Sequence, residues 1–210
     1  MSHRNRLFSL LWPTWLGAIL ILQVWVWRHV GTPSKTADPT KSWPVASRLP
    51  KSPDRPSFLM FVGDDCPCSR AGLRELERLL AEIPEEGFPR VVVVFAGPQT
   101  DPVAELWKQA KGIAGVEAWR DSPLKETQRF GARTSGQVMT YDRFGTLVFE
   151  GGLTVARGHE GMSGARVSLA NWFRRRNGSM PSQSRSRVFG CDLPDGKKIV
   201  RAESVVETEL

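Results

Sequence analysis

Between residues 57 and 176, short apolar runs alternate with stretches of helical periodicity, and this alternation restricts the chain to few architectures. Residues 58–62 (FLMFV) read as a buried strand, after which Leu73, Leu76, Leu80 and Ile83 recur at helical spacing. Residues 90–95 (RVVVVF) are β-branched and continuous, as a parallel strand covered on both faces requires. Asp101 and Pro102 open a helix, Asp as cap and Pro as first residue, with Val103, Leu106, Trp107 and Ala110 as its buried stripe. A brief strand over 116–119 and a helix opened by Ser122-Pro123 follow. Residues 138–141 and 146–149, joined by Asp142-Arg143-Phe144-Gly145, lie so close that they form a hairpin. In the last helix Ala165, Leu169, Trp172 and Phe173 share a face, and Arg174-Arg175-Arg176 before Asn177-Gly178 suits a helix end. The order predicts an α/β fold: a mainly parallel sheet with a C-terminal antiparallel hairpin and helices on both faces.

The N-terminal quarter is of another kind. Residues 7–27 carry no charge over 21 positions, which at helical rise spans roughly 30 Å, the thickness of a bilayer's hydrocarbon core. Trp12, Trp15, Trp25 and Trp27 lie toward its ends, where indoles favour headgroups. The run is longer than a cleavable signal and continues into Arg28-His29-Val30 rather than small residues, so an uncleaved single-pass anchor in the lipid bilayer is expected, after a short basic segment at 1–6. Basic residues on the two sides nearly balance, so charge alone does not orient it. Residues 28–56 hold six prolines among Ser, Thr and Lys and read as an extended spacer. The folded domain is then expected at 57–176 and a polar tail at 177–210.

Charge removes one class of partner. Residues 1–56 carry 8 basic and 2 acidic groups, 57–176 carry 16 and 15, and the tail 5 and 5, so six of the seven net positive charges lie ahead of the domain. A nucleic-acid binder needs its excess on the folded face, and no nucleic-acid partner is expected. At 40% hydrophobic and 24% charged, the chain is neither wholly disordered nor multi-pass.

Cys66-Pro67-Cys68-Ser69 falls between the first strand and the first helix. With Pro67 as first helical residue, Cys66 is the N-cap, and a sulfur beside unpaired amides and the positive end of the dipole gains thiolate character. Asp64 and Asp65 oppose this and Arg70 assists it. Two adjacent soft thiolates are suited to disulfide exchange or, with a further ligand, to Cu(I).

On these residues, and on the Phe61-Val62-Gly63-Asp64-Asp65-Cys66 and 130–142 (FGARTSGQVMTYD) segments, the chain resembles the thioredoxin superfamily. The likeness is to its membrane-anchored thioredoxin-like proteins of the TlpA and ResA type and the bacterial group labelled RedB. It implies a thioredoxin-like fold, an extracytoplasmic (periplasmic) location, protein thiols and disulfides as partners and a possible place in cytochrome maturation. Two departures stand out: Cys-x-Cys-Ser replaces Cys-x-x-Cys, and Gly136 stands where the cis-proline is expected. A Cys66–Cys68 disulfide would close a small, strained, easily reduced ring; alternatively Ser69 replaces the resolving cysteine and Cys66 forms mixed disulfides.

The expected reading is a membrane-tethered thiol-disulfide oxidoreductase without cofactor. Cys66 attacks, Cys68 resolves, and Pro67, Ser69, Arg70, Ser135, Gly136, Arg157 and His159 line the site. Topology places the loop 153–160 over the cysteines, where His159 is a third metal ligand, a proton carrier or a cation for the thiolate. Cys191 leaves the cysteine count odd. It resolves Cys66, supplies a fourth soft ligand or is inert, the last being preferred because Val188-Phe189-Gly190-Cys191 is an apolar stretch in a polar tail. The alternatives are a copper carrier using Cys66, Cys68, His159 and Cys191, and a redox-inactive scaffold. Glycine-rich phosphate loops are absent from the sequence.

Overall fold

In a computed structural model, the structure describes residues 3–34, 39–63, 66–97, 101–122, 124–175 and 180–194, with backbone alone for 3–11 and 101–104. Strand β1 (Ser57–Val62) is the pivot of the domain. Its alternate residues Phe58, Met60 and Val62 join one hydrophobic cluster, and Leu59 and Phe61 join another on the opposite face. Strand β2 (Arg90–Ala96) repeats the division, with Val91, Val93 and Phe95 on the first face and Val92, Val94 and Ala96 on the second. Burial on both sides is the reason both strands are almost continuously apolar.

With β3 (Val116–Asp121), β4 (Gln137–Tyr141) and β5 (Leu147–Gly152), these form a five-stranded sheet of order β3-β2-β1-β4-β5. β1 and β3 run parallel to β2, whereas β4 is antiparallel to both β1 and β5. The sheet is therefore evenly mixed rather than mainly parallel. The hairpin was legible, but its docking beside β1, which adds a second antiparallel seam, is a long-range choice that strand periodicity does not encode.

Helices cover both faces unequally. Helix α2 (Pro67–Ala81), α3 (Asp101–Gly112) and α5 (Gly164–Arg175) bury Leu73, Leu76, Leu106, Ala110, Leu169 and Phe173 against the first face. Among the described residues, the second receives only the short α4 (Lys125–Phe130), whose Phe130 packs beside Phe61 and Tyr141. Irregular chain completes that face. Trp43 meets Phe130 and Tyr141 edge-on at centroid distances of 5.1 and 5.3 Å, and Leu49 is buried. The Trp43 amide donates to the Gly145 carbonyl and the Leu147 amide to that of Lys41. The proline-rich stretch is thus a spacer only in part: its second half is a cover for the sheet, because a few apolar residues on extended chain suffice to close a face left open by one six-residue helix.

Helix α4 also begins differently from expectation. Asp121, at the end of β3, accepts from the amides of Glu126 and Thr127 and from the Thr127 hydroxyl, so the cap comes from Asp121 and not from Ser122; Pro123 lies outside the described residues. Asp101 is itself the first residue of α3, and its capping role falls outside the described side chains, as do Arg176, Asn177 and Gly178 at the end of α5.

The described part of the tail packs as well. Ser184 and Ser186 exchange backbone hydrogen bonds with Glu150 on β5, and the Ser186 hydroxyl bonds both the amide and the carbonyl of Gly152. This covers an otherwise open sheet edge and carries the chain toward the carboxyl end of β1. Helix α1 (His3–Gly31) belongs to a separate unit, residues 1–32; its Trp12, Trp15, Trp25 and Trp27 are exposed. Among the described residues, no helix is long and apolar enough to cross a membrane.

Candidate functional site

The site forms where β1 gives way to α2. Cys66 is the N-cap in extended conformation (φ −102°, ψ 125°), Pro67 begins the helix, and the Cys66 carbonyl accepts from the amides of Ser69 and Arg70. Its side chain makes no capping hydrogen bond. The sulfur is instead turned to other sulfurs. Cys66 Sγ lies 2.7 Å from Cys191 Sγ, and the three Sγ atoms of Cys66, Cys68 and Cys191 all lie within 4.8 Å of one another. All three are free thiols; Cys66 and Cys68 are buried and Cys191 is exposed at the surface.

This proximity divides the protons unevenly. Hydrogen bonding from the Cys68 thiol, and then from that of Cys191, stabilises a Cys66 thiolate and brings its pKa down to about 4, against the opposing effect of burial. Cys68 moves strongly upward, first because it donates to Cys66 and then through desolvation. Desolvation of its sulfur, followed by the same donation to Cys66, lifts Cys191 to about 11, although Arg157 pulls the other way. The arrangement therefore holds one thiolate between two protonated thiols. Sequence alone left the sign of the Cys66 shift open; in the structure neighbouring thiols are the chief cause of its lowering.

The walls come from three segments. Ser135 Oγ accepts from the Gly63 amide at 3.0 Å and lies 2.6 Å from Ser69 Oγ, which also bonds the Gly63 carbonyl. Ser69 is fully buried in this network, where its hydroxyl ties the loop at Gly63 to Ser135. Gly136 adopts φ +84° and its amide donates to the Phe61 carbonyl at 2.8 Å. Proline, fixed near −65° and lacking an N–H, fits neither requirement, so glycine and not the proline implied by the resemblance suits this position.

The third segment is the loop after β5. Its Glu160 pairs with Arg74 and Arg78, and its Gly161 amide donates to the buried Glu75, all three on α2. Thus fastened, the loop brings Gly158 against Pro67, and the Gly158 amide reaches the Cys68 sulfur. His159, however, is exposed, with Nδ1 2.6 Å from the Arg157 carbonyl, and is not in the sulfur cluster. The loop lies where topology placed it; its histidine turns outward because its own backbone satisfies the ring. Arg157 reaches the site indirectly, donating to the Gly190 carbonyl and to Ser34 Oγ. Arg70 is exposed on the first turn of α2, and Asp64 and Asp65 lie outside the described residues.

The largest departure is Cys191, preferred as an inert thiol from sequence and found in contact with Cys66. Residues 190–193 run antiparallel to 133–135: the Ser135 amide donates to the Cys191 carbonyl, and the Leu193 amide to that of Arg133, each at 2.8 Å. Ser34, which sequence reasoning did not single out, ties this strand down by accepting from the Gly190 amide and donating to its carbonyl. The only sequence signal was the apolar Val188-Phe189 beside Gly190 and Cys191, and both side chains are indeed buried.

No family model and no curated protein matches the chain. Solved structures do. An uncharacterised conserved protein of Geobacillus kaustophilus, 17% identical, aligns over 79% of this chain and 93% of that one with a TM-score of 0.57. A hypothetical protein of Sinorhizobium meliloti, also 17% identical, aligns over 77% and 93% with a TM-score of 0.55. A secreted disulfide oxidoreductase of Mycobacterium tuberculosis is 13% identical over 57% of this chain and 80% of that one, with a TM-score of 0.41. The chain thus shares an α/β fold with the first two of these proteins, built here on a mixed five-stranded sheet.

Proposed function

We propose that this protein exchanges thiols and disulfides with cysteines of other proteins, Cys66 being the attacking thiolate. The observation that carries the reading is the cluster of three free sulfurs at the start of α2, in which hydrogen bonding from Cys68 and Cys191 holds the Cys66 pKa low and leaves two candidates to resolve the mixed disulfide. Pro67, Ser69, Ser135, Gly136 and Arg157 shape the site without taking part in electron transfer. We further propose that residues 7–27 tether the domain to a membrane at its extracytoplasmic face, as in the TlpA, ResA and RedB type. The 21 uncharged residues and their terminal tryptophans support this.

The test is capture. A Cys68→Ser/Cys191→Ser double variant keeps the nucleophile and removes both thiols able to release it, so mixed disulfides with client proteins accumulate at Cys66 under mild oxidation. Absence of any adduct at Cys66 in a folded protein would sink the reading.

Mutual proximity of three sulfurs supports a second reading, a Cu(I) carrier with Cys66, Cys68 and Cys191 as ligands. It predicts tight one-to-one Cu(I) binding in competition with a chelator, weakened by Cys191→Ser and unaffected by His159→Ala. Binding unchanged by Cys191→Ser would remove it.

A further inference from the structure

The place beside Cys66 where another sulfur must come for exchange is filled by the chain's own tail. Three features mark this as a built arrangement. First, the tail is held as a strand: Ser135 and Leu193 supply ladder hydrogen bonds on either side of a Thr134–Asp192 bridge. Second, its backbone is pressed against the site. A Cβ on Gly190 would fall 1.8 Å from the Ser135 carbonyl oxygen, so only glycine permits the approach. Third, it is anchored on both sides of the cysteine, by buried Val188 and Phe189 before it and Leu193 after it, with Arg157 and Ser34 gripping Gly190. The product of these contacts is one cysteine sulfur delivered to 2.7 Å from Cys66 Sγ.

We propose that the tail segment 188–193 is a built-in competitor of the chain's clients: it occupies the strand edge at residues 133–135 and sets Cys191 in the position of a client's sulfur. The proposal rests on the exchange reading and adds its regulation by the chain's own tail. A client strand must displace the tail. In the first step the Cys66 thiolate attacks the client's disulfide sulfur; the Cys66–client bond forms, the client's own S–S bond breaks, and its second sulfur leaves as thiolate. When the tail returns, deprotonated Cys191 attacks Cys66 Sγ, the client leaves as thiolate, and Cys66–Cys191 is left oxidised. Two electrons pass from the two protein thiols to the client disulfide.

The test uses the reduced full-length chain in detergent micelles and a short uncharged peptide whose cysteine carries thionitrobenzoate as a mixed disulfide. Attack by Cys66 transfers the peptide and releases the coloured thionitrobenzoate. The small symmetrical disulfide of thionitrobenzoate, which needs no strand edge, is the control. Gly190→Ala forces the tail off, and Arg157→Gln loosens it without adding an atom to the interface; cooperative melting establishes that each variant is folded. With the tail displaced, the peptide reaction accelerates roughly tenfold in Gly190→Ala and by a smaller factor in Arg157→Gln, because the competent fraction rises, while the small disulfide changes less. Equal peptide rates in all three proteins would overturn the tail as occupant. Reaction with the small disulfide but none with the peptide in any of them would overturn competition at the strand edge and leave the exchange reading standing. No reaction at Cys66 with either reagent would remove exchange itself.

Discussion

Alkylation of Cys66 in the reduced protein is expected to proceed at nearly the same rate from pH 5 to pH 8. An ordinary thiol, with a pKa near 8.5, accelerates several-hundred-fold over that interval because its thiolate fraction rises about tenfold per pH unit. Cys66 has its pKa lowered to about 4, so its thiolate is present throughout the range and is lost only on acidification toward that value. The shape of the profile is the informative quantity. A low-pKa thiolate is intrinsically less nucleophilic, so its absolute rate at one pH separates poorly from that of an ordinary cysteine. Replacing the group that contributes most should matter most: Cys68→Ala, which removes the donor, restores a steeper profile with a higher midpoint, and Cys191→Ala moves it less. A rate that climbs tenfold per unit in the wild-type protein would mean that Cys66 is an ordinary buried thiol.

Gly136→Pro is expected to destabilise the domain by about 3 kcal/mol or more. The substitution asks a residue fixed near φ −65° to occupy φ +84° and deletes the amide bonded to the Phe61 carbonyl. Gly136→Ala provides the contrast. A Cβ there meets nothing within 4 Å, so its cost is confined to the left-handed backbone, about 1 to 2 kcal/mol. Thermal melts of both variants check the order. A proline variant as stable as wild type would show that the loop opposite the cysteines readily adopts a backbone conformation that proline allows.

What the sequence revealed depended on the range of the interaction involved. The apolar runs at 58–62 and 90–95 and the spacing of Leu73, Leu76 and Leu80 are local, and each became the expected element. Trp43 and Leu49 were hidden because proline-rich composition is informative about backbone shape and says little about where two apolar side chains will find a face to cover. Cys66, Pro67 and Cys68 announced a site through position alone, at a helix start after a buried strand. Cys191 did not, since its place depends on the tail first following β5 through Glu150 and Ser186 and then pairing with residues 133–135. His159 illustrates the opposite limit. Topology placed its loop correctly, but the hydrogen bond from the ring to the Arg157 carbonyl, which turns the side chain away, is a choice of rotamer.

The most direct test of the account is a redox titration of the metal-free full-length protein in detergent, with the state of each cysteine read by alkylation and mass. We predict a reversible two-electron step in which Cys66 is the cysteine always consumed, with a midpoint between about −300 and −100 mV, the span of working exchangers. Three cysteines that remain alkylatable at every potential would contradict thiol-disulfide exchange and turn the inquiry to Cu(I).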